Sequence, residues 1–254
     1  MDIKSVLIEA STKAGKRTLE EFGKAQSVEF KGAIDIVTAM DKEAESIIIA
    51  EIRDNFPDHC IVTEESDLEE NDSNLRWIID PIDGTTNYAH GFPMYCVSIG
   101  FEKDGVVEEG VVYLPYLNEM FYAKRGEGAF LNDKKISVST TSELDKSLVA
   151  TGFPYDIRTS KDNNLNNFTR IVKEVRAVRR PGAAAIDICY VAAGRFDGFW
   201  ETKLKPWDMA AAKVILEEAG GRISDYSGGD FDLYGTECLA SNGLIHDELL
   251  GLLK

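Results

Sequence analysis

The chain has 254 residues and a formal net charge of -16, with 44% hydrophobic and 28% charged residues. That length allows one large domain or two small ones around a sizeable core. The acidity argues against a protein that grips nucleic acid with its own basic surface, and no apolar run reaches the length of a membrane span. Met1-Asp2-Ile3-Lys4-Ser5 carries no signal-peptide pattern, so a cytoplasmic protein is expected. Cys60, Cys96, Cys189 and Cys238 are scattered, without paired metal spacing, and read as reduced core residues. An acidic chain repels a phosphorylated substrate unless bound cations reverse the sign locally.

Ile3, Val6, Leu7, Ala10 and Ala14 recur at helical spacing, with Phe22 extending the face and Gly23 as C-cap. Residues 31–37 read as a loop and short strand. Thr38-Ala39-Met40-Asp41 has the form of a capping box opening a second helix that stops near Phe56-Pro57. Cys60 to Thr63 reads as a strand followed by Glu64-Glu65 and an acidic loop over 67–72. A buried strand through Trp77-Ile78-Ile79 is expected to stop at Asp80, because Pro81 cannot continue a central ladder. Asp83-Gly84 then turns the chain. Val97 to Phe101, Val106 to Leu114 and Glu119 to Ala123 alternate as an antiparallel meander. Gly128 to Leu131 and Lys135 to Val138 add a hairpin around Asn132-Asp133.

The character changes near residue 140. Ser147 to Thr151 and Phe196 to Trp200 read as strands, the second ending at Glu201. Asn163 to Glu174, Gly182 to Ala193, Met209 to Ala219 and Ile245 to Leu253 read as helices, the third capped by Asp208. Arg176 to Arg179, Arg222 to Ser224 and Leu239 to Ser241 read as extended. Strand and helix alternate, so residues 1–140 form an α+β half and 141–254 an α/β half, packed as one rigid unit of α/β class.

Two carboxylates, Asp80 and Asp83, thus fall at the carboxyl end of a strand, followed by N–H groups and hydroxyls from Gly84, Thr85 and Thr86. Carboxylates suit hard divalent cations, and a turn opening into a helix suits phosphate. Glu64 follows a second short strand in the same way, and neighbouring strands ending together would converge Glu64 and Asp80. The plainer readings are a β-turn for Pro81 to Gly84 and helix caps for Asp41 and Asp208. His59, His90 and His246 read as structural or surface residues, and no cysteine sits in a Cys-x₅-Arg loop.

Asp80-Pro81-Ile82-Asp83-Gly84-Thr85-Thr86-Asn87 after an apolar strand resembles the signature of the inositol monophosphatase family. The resemblance extends to Asp35-Ile36-Val37-Thr38-Ala39-Met40-Asp41, Thr63-Glu64-Glu65-Ser66, Gly182-Ala183-Ala184-Ala185, Glu201 and Trp207-Asp208-Met209-Ala210. These motifs stand in order from about Lys31 to Gly221, with a bacterial flavour in Arg179-Arg180-Pro181-Gly182. The resemblance implies a layered α-β-α-β-α sandwich of the sugar phosphatase superfamily and a Mg²⁺-dependent, Li⁺-sensitive phosphatase. It implies that Glu64, Asp80 and the Ile82 carbonyl bind one Mg²⁺, that Asp80, Asp83 and Asp208 bind a second, and that Glu64 and water hold a third. Asp41 and Thr85 match the pair that orients and deprotonates the attacking water, with Glu64 beside them. Gly84 and Thr85 match donors to the phosphate. Asp83, Ala184 and Glu201 match positions that touch the alcohol. Thr202-Lys203 follows Glu201, where relatives more often carry an apolar residue and glycine. The expected substrate is a small phosphorylated polyol or sugar, inositol 1-phosphate first. Fructose 1,6-bisphosphate, histidinol phosphate and a nucleotide 3′-phosphate remain open, as does regulatory binding to the transcription machinery through a surface containing Arg179-Arg180. A homodimer is the family default.

Overall fold

A computed structural model describes residues 1–24, 28–30, 36–66 and 73–253. Lys31, Asp35 and the acidic loop over 67–72 lie outside the described residues. Helix α1 (Ile3–Glu21) starts where Asp2 accepts from the Ser5 N–H at 2.8 Å, and its stripe of Val6, Leu7, Ala10 and Ala14 is buried. After β1 (Val28–Phe30) and β2 (Ile36–Thr38), an antiparallel pair, α2 (Ala39–Asn55) opens with the expected capping box.

A seven-stranded sheet follows in the order β3-β4-β5-β6-β7-β8-β9. Its strands are β3 (Cys60–Thr63), β4 (Leu75–Asp83), β5 (Cys96–Lys103), β6 (Val106–Leu114), β7 (Glu119–Lys124), β8 (Gly128–Leu131) and β9 (Lys134–Lys135). Only β3 and β4 run parallel. Between β4 and β5 lies α3 (Thr85–Ala89).

A second sheet has the order β11-β10-β12-β14-β13, built from β10 (Leu148–Thr151), β11 (Ala177–Arg179), β12 (Gly198–Thr202), β13 (Arg222–Ser224) and β14 (Glu237–Ser241). β10, β11 and β12 are parallel, whereas β13 and β14 pair antiparallel. The remaining helices are α4 (Leu165–Ile171), α5 (Ala184–Ala192), α6 (Pro206–Glu218) and α7 (His246–Leu252).

These elements stack as α-β-α-β-α. α1 and α2 cover one face of the large sheet around Ile48, Trp77, Ile79 and Ile99. α5 and α6 fill the space between the two sheets, with Ile78, Val112, Ile188 and Val214 in one shared core. α4 and α7 close the outer face of the second sheet around Val149, Trp200 and Leu249. The central strands β4 and β5 are buried on both faces along most of their length, as a sheet covered on both sides requires. α6 lies unusually close to the large sheet because Gly100 and Gly110 pair beneath it. A Cβ built at Gly110 would stand 2.8 Å from Ala211 Cα, so small residues on both sides set the approach.

Four details correct the sequence reading. β4 does not stop at Asp80: Asp80 pairs with Ser98 and Asp83 with Cys96, so Pro81 and Ile82 oppose Val97 alone in a bulge. A bulge accommodates a proline that could not donate to a regular ladder. α6 begins at Pro206 with Lys205 as N-cap, so Asp208 is the third helical residue and not the cap. α4 starts later than its periodicity suggests because Asn164, in a left-handed conformation at φ 66°, turns its side chain inward instead of capping the helix, and it ends at Ile171 rather than Glu174. The arm after Asn132-Asp133 forms a strand only at Lys134–Lys135, since Val138 bonds to the Ala219 carbonyl at 3.1 Å. The four cysteines are free and buried, and no helix among the described residues is long and apolar enough to cross a membrane.

Candidate active site

The parallel register pairs Thr63 with Ile79, so Glu64 and Asp80 are the next residues out on adjacent strands. The bulge then turns Asp83 back against β5 beside Cys96. Gly84 makes the turn into α3 at φ 93°, and an added Cβ would stand 2.9 Å from the Met94 carbonyl oxygen. Glycine is needed there for both reasons. The first turn of α2 brings Asp41, the start of α5 brings Ala184, β12 brings Glu201, and the first turn of α6 brings Asp208. The site is therefore a meeting of strand carboxyl ends and helix amino ends between the two sheets, the usual place for ligands in layered α/β proteins.

Several of its acids have one oxygen tied to a backbone N–H. Asp41 Oδ2 accepts from the Thr38 N–H at 2.8 Å and the Thr38 hydroxyl at 2.6 Å, while Oδ1 accepts from Thr85 Oγ1 at 3.0 Å. Asp80 Oδ1 accepts from the Ile82 N–H at 3.0 Å. Asp83 Oδ2 accepts from the Ala185 N–H at 2.7 Å and lies 3.8 Å from Cys96 Sγ. Asp208 Oδ2 accepts from the Lys205 N–H at 2.7 Å. Asp41 and Asp208 are thus not the caps of the plainer reading: each is the third helical residue, returning one oxygen to the backbone N–H of the N-cap, Thr38 or Lys205.

Asp41, Asp80, Asp83 and Thr85 are all buried, whereas Glu64, Glu201 and Asp208 are half-buried. Burial first, then the charges of Glu64, Asp83, Asp208 and Asp41, hold the Asp80 carboxyl well above its usual range. Burial pushes Asp83 up to about 7, against the Ala185 N–H that favours its anion. Burial also raises Asp41, opposed by Thr38 and Thr85. Burial and the charge of Asp208 raise Glu201 to about 8. A buried group of like charges that raise one another is what a polyvalent cation would relieve. The donors are all oxygen, which fits Mg²⁺ and not a soft metal. Among the described residues, no three acidic, histidine or cysteine side chains already form a closed ligand set.

Four further residues stand close to these groups; Glu45 and Asp187 lie outside every motif, whereas the sequence marks Arg180 and Lys203 without a role at this site. Glu45, buried and one turn on from Asp41, accepts from Thr63 Oγ1 at 2.6 Å, from the Glu65 N–H at 3.0 Å and from the Ser66 hydroxyl, so it wraps the turn on both sides of Glu64. Asp187 is buried in α5 with no hydrogen-bond partner for Oδ1 among the described residues, and burial and the charge of Glu201 push its carboxyl well up. A lone acid inside Ala184-Ala185-Ile186-Asp187-Ile188-Cys189 is the one sequence hint of it. Arg180 is exposed, yet its charge acts on both Asp187 and Glu201. Lys203 adopts φ 65° and sends Nζ to Asp156 at 2.7 Å and Ser160 at 2.8 Å, strapping the loop after β10 beside Glu201.

The comparisons agree with this architecture. The model of the inositol monophosphatase family matches residues 2–254. An inositol-1-monophosphatase of Synechocystis sp. is 47% identical over 246 residues, covering 96% of this chain and 86% of that protein. The Nus factor SuhB of Escherichia coli is 40% identical over 253 residues, covering 98% and 95%. The solved inositol monophosphatase of Anabaena superposes with a TM-score of 0.89 at 43% identity, covering 98% of this chain and 94% of that one. With fold, motif order and full-length similarity in agreement, this chain belongs to the inositol monophosphatase family of phosphate-monoester hydrolases.

Proposed function

We propose that the chain hydrolyses the phosphate monoester of a small polyol, with inositol 1-phosphate the first candidate, in a Mg²⁺-dependent attack of water on phosphorus. The observation that carries this is the packing of Asp80 and Asp83, both buried, within electrostatic reach of Glu64 and Asp208. Glu64, Asp80, Asp83, Asp208 and the Ile82 carbonyl are the groups that would hold two to three ions. When bound, Mg²⁺ supplies positive charge against the phosphoryl oxygens and acidifies water.

The chain's own residues divide the remaining work. Thr85 Oγ1 donates to Asp41 Oδ1 and can accept a proton from the attacking water as it passes its own to Asp41. Burial of Asp41 raises its basicity in the sense such a base needs. Thr38 holds the other oxygen of Asp41 and so fixes the direction of the transfer. The N–H groups of Gly84 and Thr85 at the start of α3 face the phosphate. Glu201, Asp83 and Ala184 contact the alcohol, where a carboxylate accepts polyol hydroxyls. The name of the Synechocystis relative supports inositol 1-phosphate. The family default supports a homodimer. The name of the Escherichia coli relative and the exposure of Arg179 and Arg180 support a second reading, in which the same fold docks on the transcription machinery.

A phosphate-release panel with Mg²⁺ tests the proposal across inositol 1-phosphate, fructose 1,6-bisphosphate, histidinol phosphate and 3′-phosphoadenosine 5′-phosphate. Inositol 1-phosphate is expected to turn over fastest, with loss of activity in EDTA and inhibition by Li⁺. No release from any of the four would overturn it. A cellular phenotype that survives Asp83→Asn would favour the docking reading.

A further inference from the structure

The parallel pairing of Thr151 with Trp200 leaves Gly152 and Glu201 side by side at the carboxyl ends of β10 and β12. A Cβ built on Gly152 would overlap both carboxylate oxygens of Glu201, closer than a carbon and an oxygen approach without bonding. The Glu201 carboxylate therefore lies flat on the Gly152 backbone. Gly152 does not occupy a positive-φ conformation, so the backbone there is open to any residue. What the position excludes is a side chain.

Neither partner of this contact is loosely held. The Gly152 carbonyl accepts from Asn164 Nδ2 at 2.7 Å, and the same amide nitrogen lies 2.9 Å from Thr151 Oγ1. Thr151 Oγ1 donates to the Trp200 carbonyl at 2.7 Å, and Trp200 Nε1 donates to Asn164 Oδ1 at 2.8 Å. Asn164, Thr151 and Trp200 are all buried, so this ring of hydrogen bonds pins the Gly152 backbone to the strand that carries Glu201. If a methyl group is added, the backbone cannot yield and the flexible end of Glu201 must.

We propose that Gly152 is a positioning residue for substrate choice: its missing side chain seats the Glu201 carboxylate where it reads the hydroxyls of the alcohol. This rests on the reading of Glu201 as an alcohol contact. It adds that the discrimination between a hydroxyl-rich and a featureless leaving group is set by the β10 strand end as well as by Glu201 itself. Gly152 touches no phosphate ligand in this scheme, so hydrolysis as such does not depend on it.

The test measures kcat/KM with Mg²⁺ for inositol 1-phosphate and for p-nitrophenyl phosphate, whose leaving group has no further hydroxyl. Gly152→Ala is expected to lower the ratio of the two about tenfold, the effect of misplacing one charged hydrogen-bond acceptor, with p-nitrophenyl phosphate within about twofold of wild type. Thermal midpoints of both proteins should agree within a few degrees, because the far end of a side chain moves and not the core. In the Glu201→Ala background, Gly152→Ala should change the ratio no further. A Glu201→Ala protein with an unmoved ratio removes the alcohol-contact reading and this proposal with it. A Glu201→Ala protein that loses discrimination beside a Gly152→Ala protein that keeps it overturns the placement alone. Equal loss on both substrates in Gly152→Ala assigns the glycine a structural role and also overturns it. If Gly152→Ala does not fold, Glu201→Asp replaces it as the probe: the acid withdrawn from the glycine should lose the ratio, and an unchanged ratio counts against the proposal.

Discussion

Thr85 Oγ1 lies 3.0 Å from Asp41 Oδ1 and 3.0 Å from the Ile82 carbonyl oxygen. One hydroxyl proton cannot serve both acceptors at once. A cation held at the Ile82 carbonyl would leave Asp41 as the acceptor, which is the arrangement the proton transfer needs. Removing the hydroxyl while keeping the shape should therefore strike the chemical step and not the fold. Thr85→Val is expected to lower kcat about 10²-fold with little change in KM, while Thr85→Ser keeps most of the activity. Steady-state phosphate release with saturating Mg²⁺ decides this, and a Thr85→Val protein within twofold of wild type would remove Thr85 from the mechanism. Asp41 shows how one side chain answers to two readings: Oδ2 closes the helix box and Oδ1 meets Thr85. The motif Thr38 to Asp41 made the cap legible, but the partnership with Thr85 spans 44 positions of sequence and has no local sign.

At the scale of elements, α7 is attached to the second sheet by its first residue. His246 is buried between Ser224 of β13, at 2.9 Å from Nε2, and Ser241 of β14, at 2.8 Å from Nδ1. Ser224 Oγ donates to the Asp225 carbonyl, so it accepts from Nε2–H, and Ser241 Oγ then donates to a bare Nδ1. This network fits the neutral ring and has no place for a second ring proton. Burial, aided by the Arg222 charge and opposed by Asp247, lowers the imidazole from 6.5 to about 4. The unfolded chain thus takes up a proton below pH 6.5 that the folded chain refuses. The contribution is complete above 6.5 and is lost as pH falls from there toward 4. Between pH 7.5 and 5 this group alone should cost about 2 kcal/mol of stability. Urea unfolding of wild type and His246→Gln at the two pH values isolates it. An equal pH dependence in both proteins would show that the ring does not control the attachment of α7.

At the scale of the whole molecule, the two sheets and the helices between them hold acids together that would separate in water. On the proposed reading, a bound cation would stabilise such a site. Mg²⁺ is expected to raise the thermal midpoint, by RT ln(1 + [L]/Kd). In EDTA, removing one buried charge should help the fold: Asp83→Asn is expected to raise the midpoint by about 2–6 °C, the response of a chain this size to 1–2 kcal/mol. The same protein should lose phosphatase activity and most of its Mg²⁺ response. Scanning fluorimetry with EDTA and with Mg²⁺ measures both effects, and an Asp83→Asn midpoint below wild type in EDTA would contradict the repulsion.

Local chemistry determined much of this protein. The helices α1, α2, α5 and α6, the meander from β5 to β8 and the turn at Gly84 follow from apolar spacing, caps and turn residues, and the order of the acidic motifs identified the family. Local chemistry also misplaced some boundaries. β4 runs through Pro81 because a partner strand absorbs the irregularity as a bulge, and α4 starts late because Asn164 is recruited to Trp200. Only the tertiary structure decided that Glu45 wraps the Glu64 turn, that Asp187 lies buried near Glu201, and that Gly152 makes room for a carboxylate from another strand. Those relations depend on register and on space left empty, and a sequence records neither: it shows which side chains exist, and packing alone shows where one is missing.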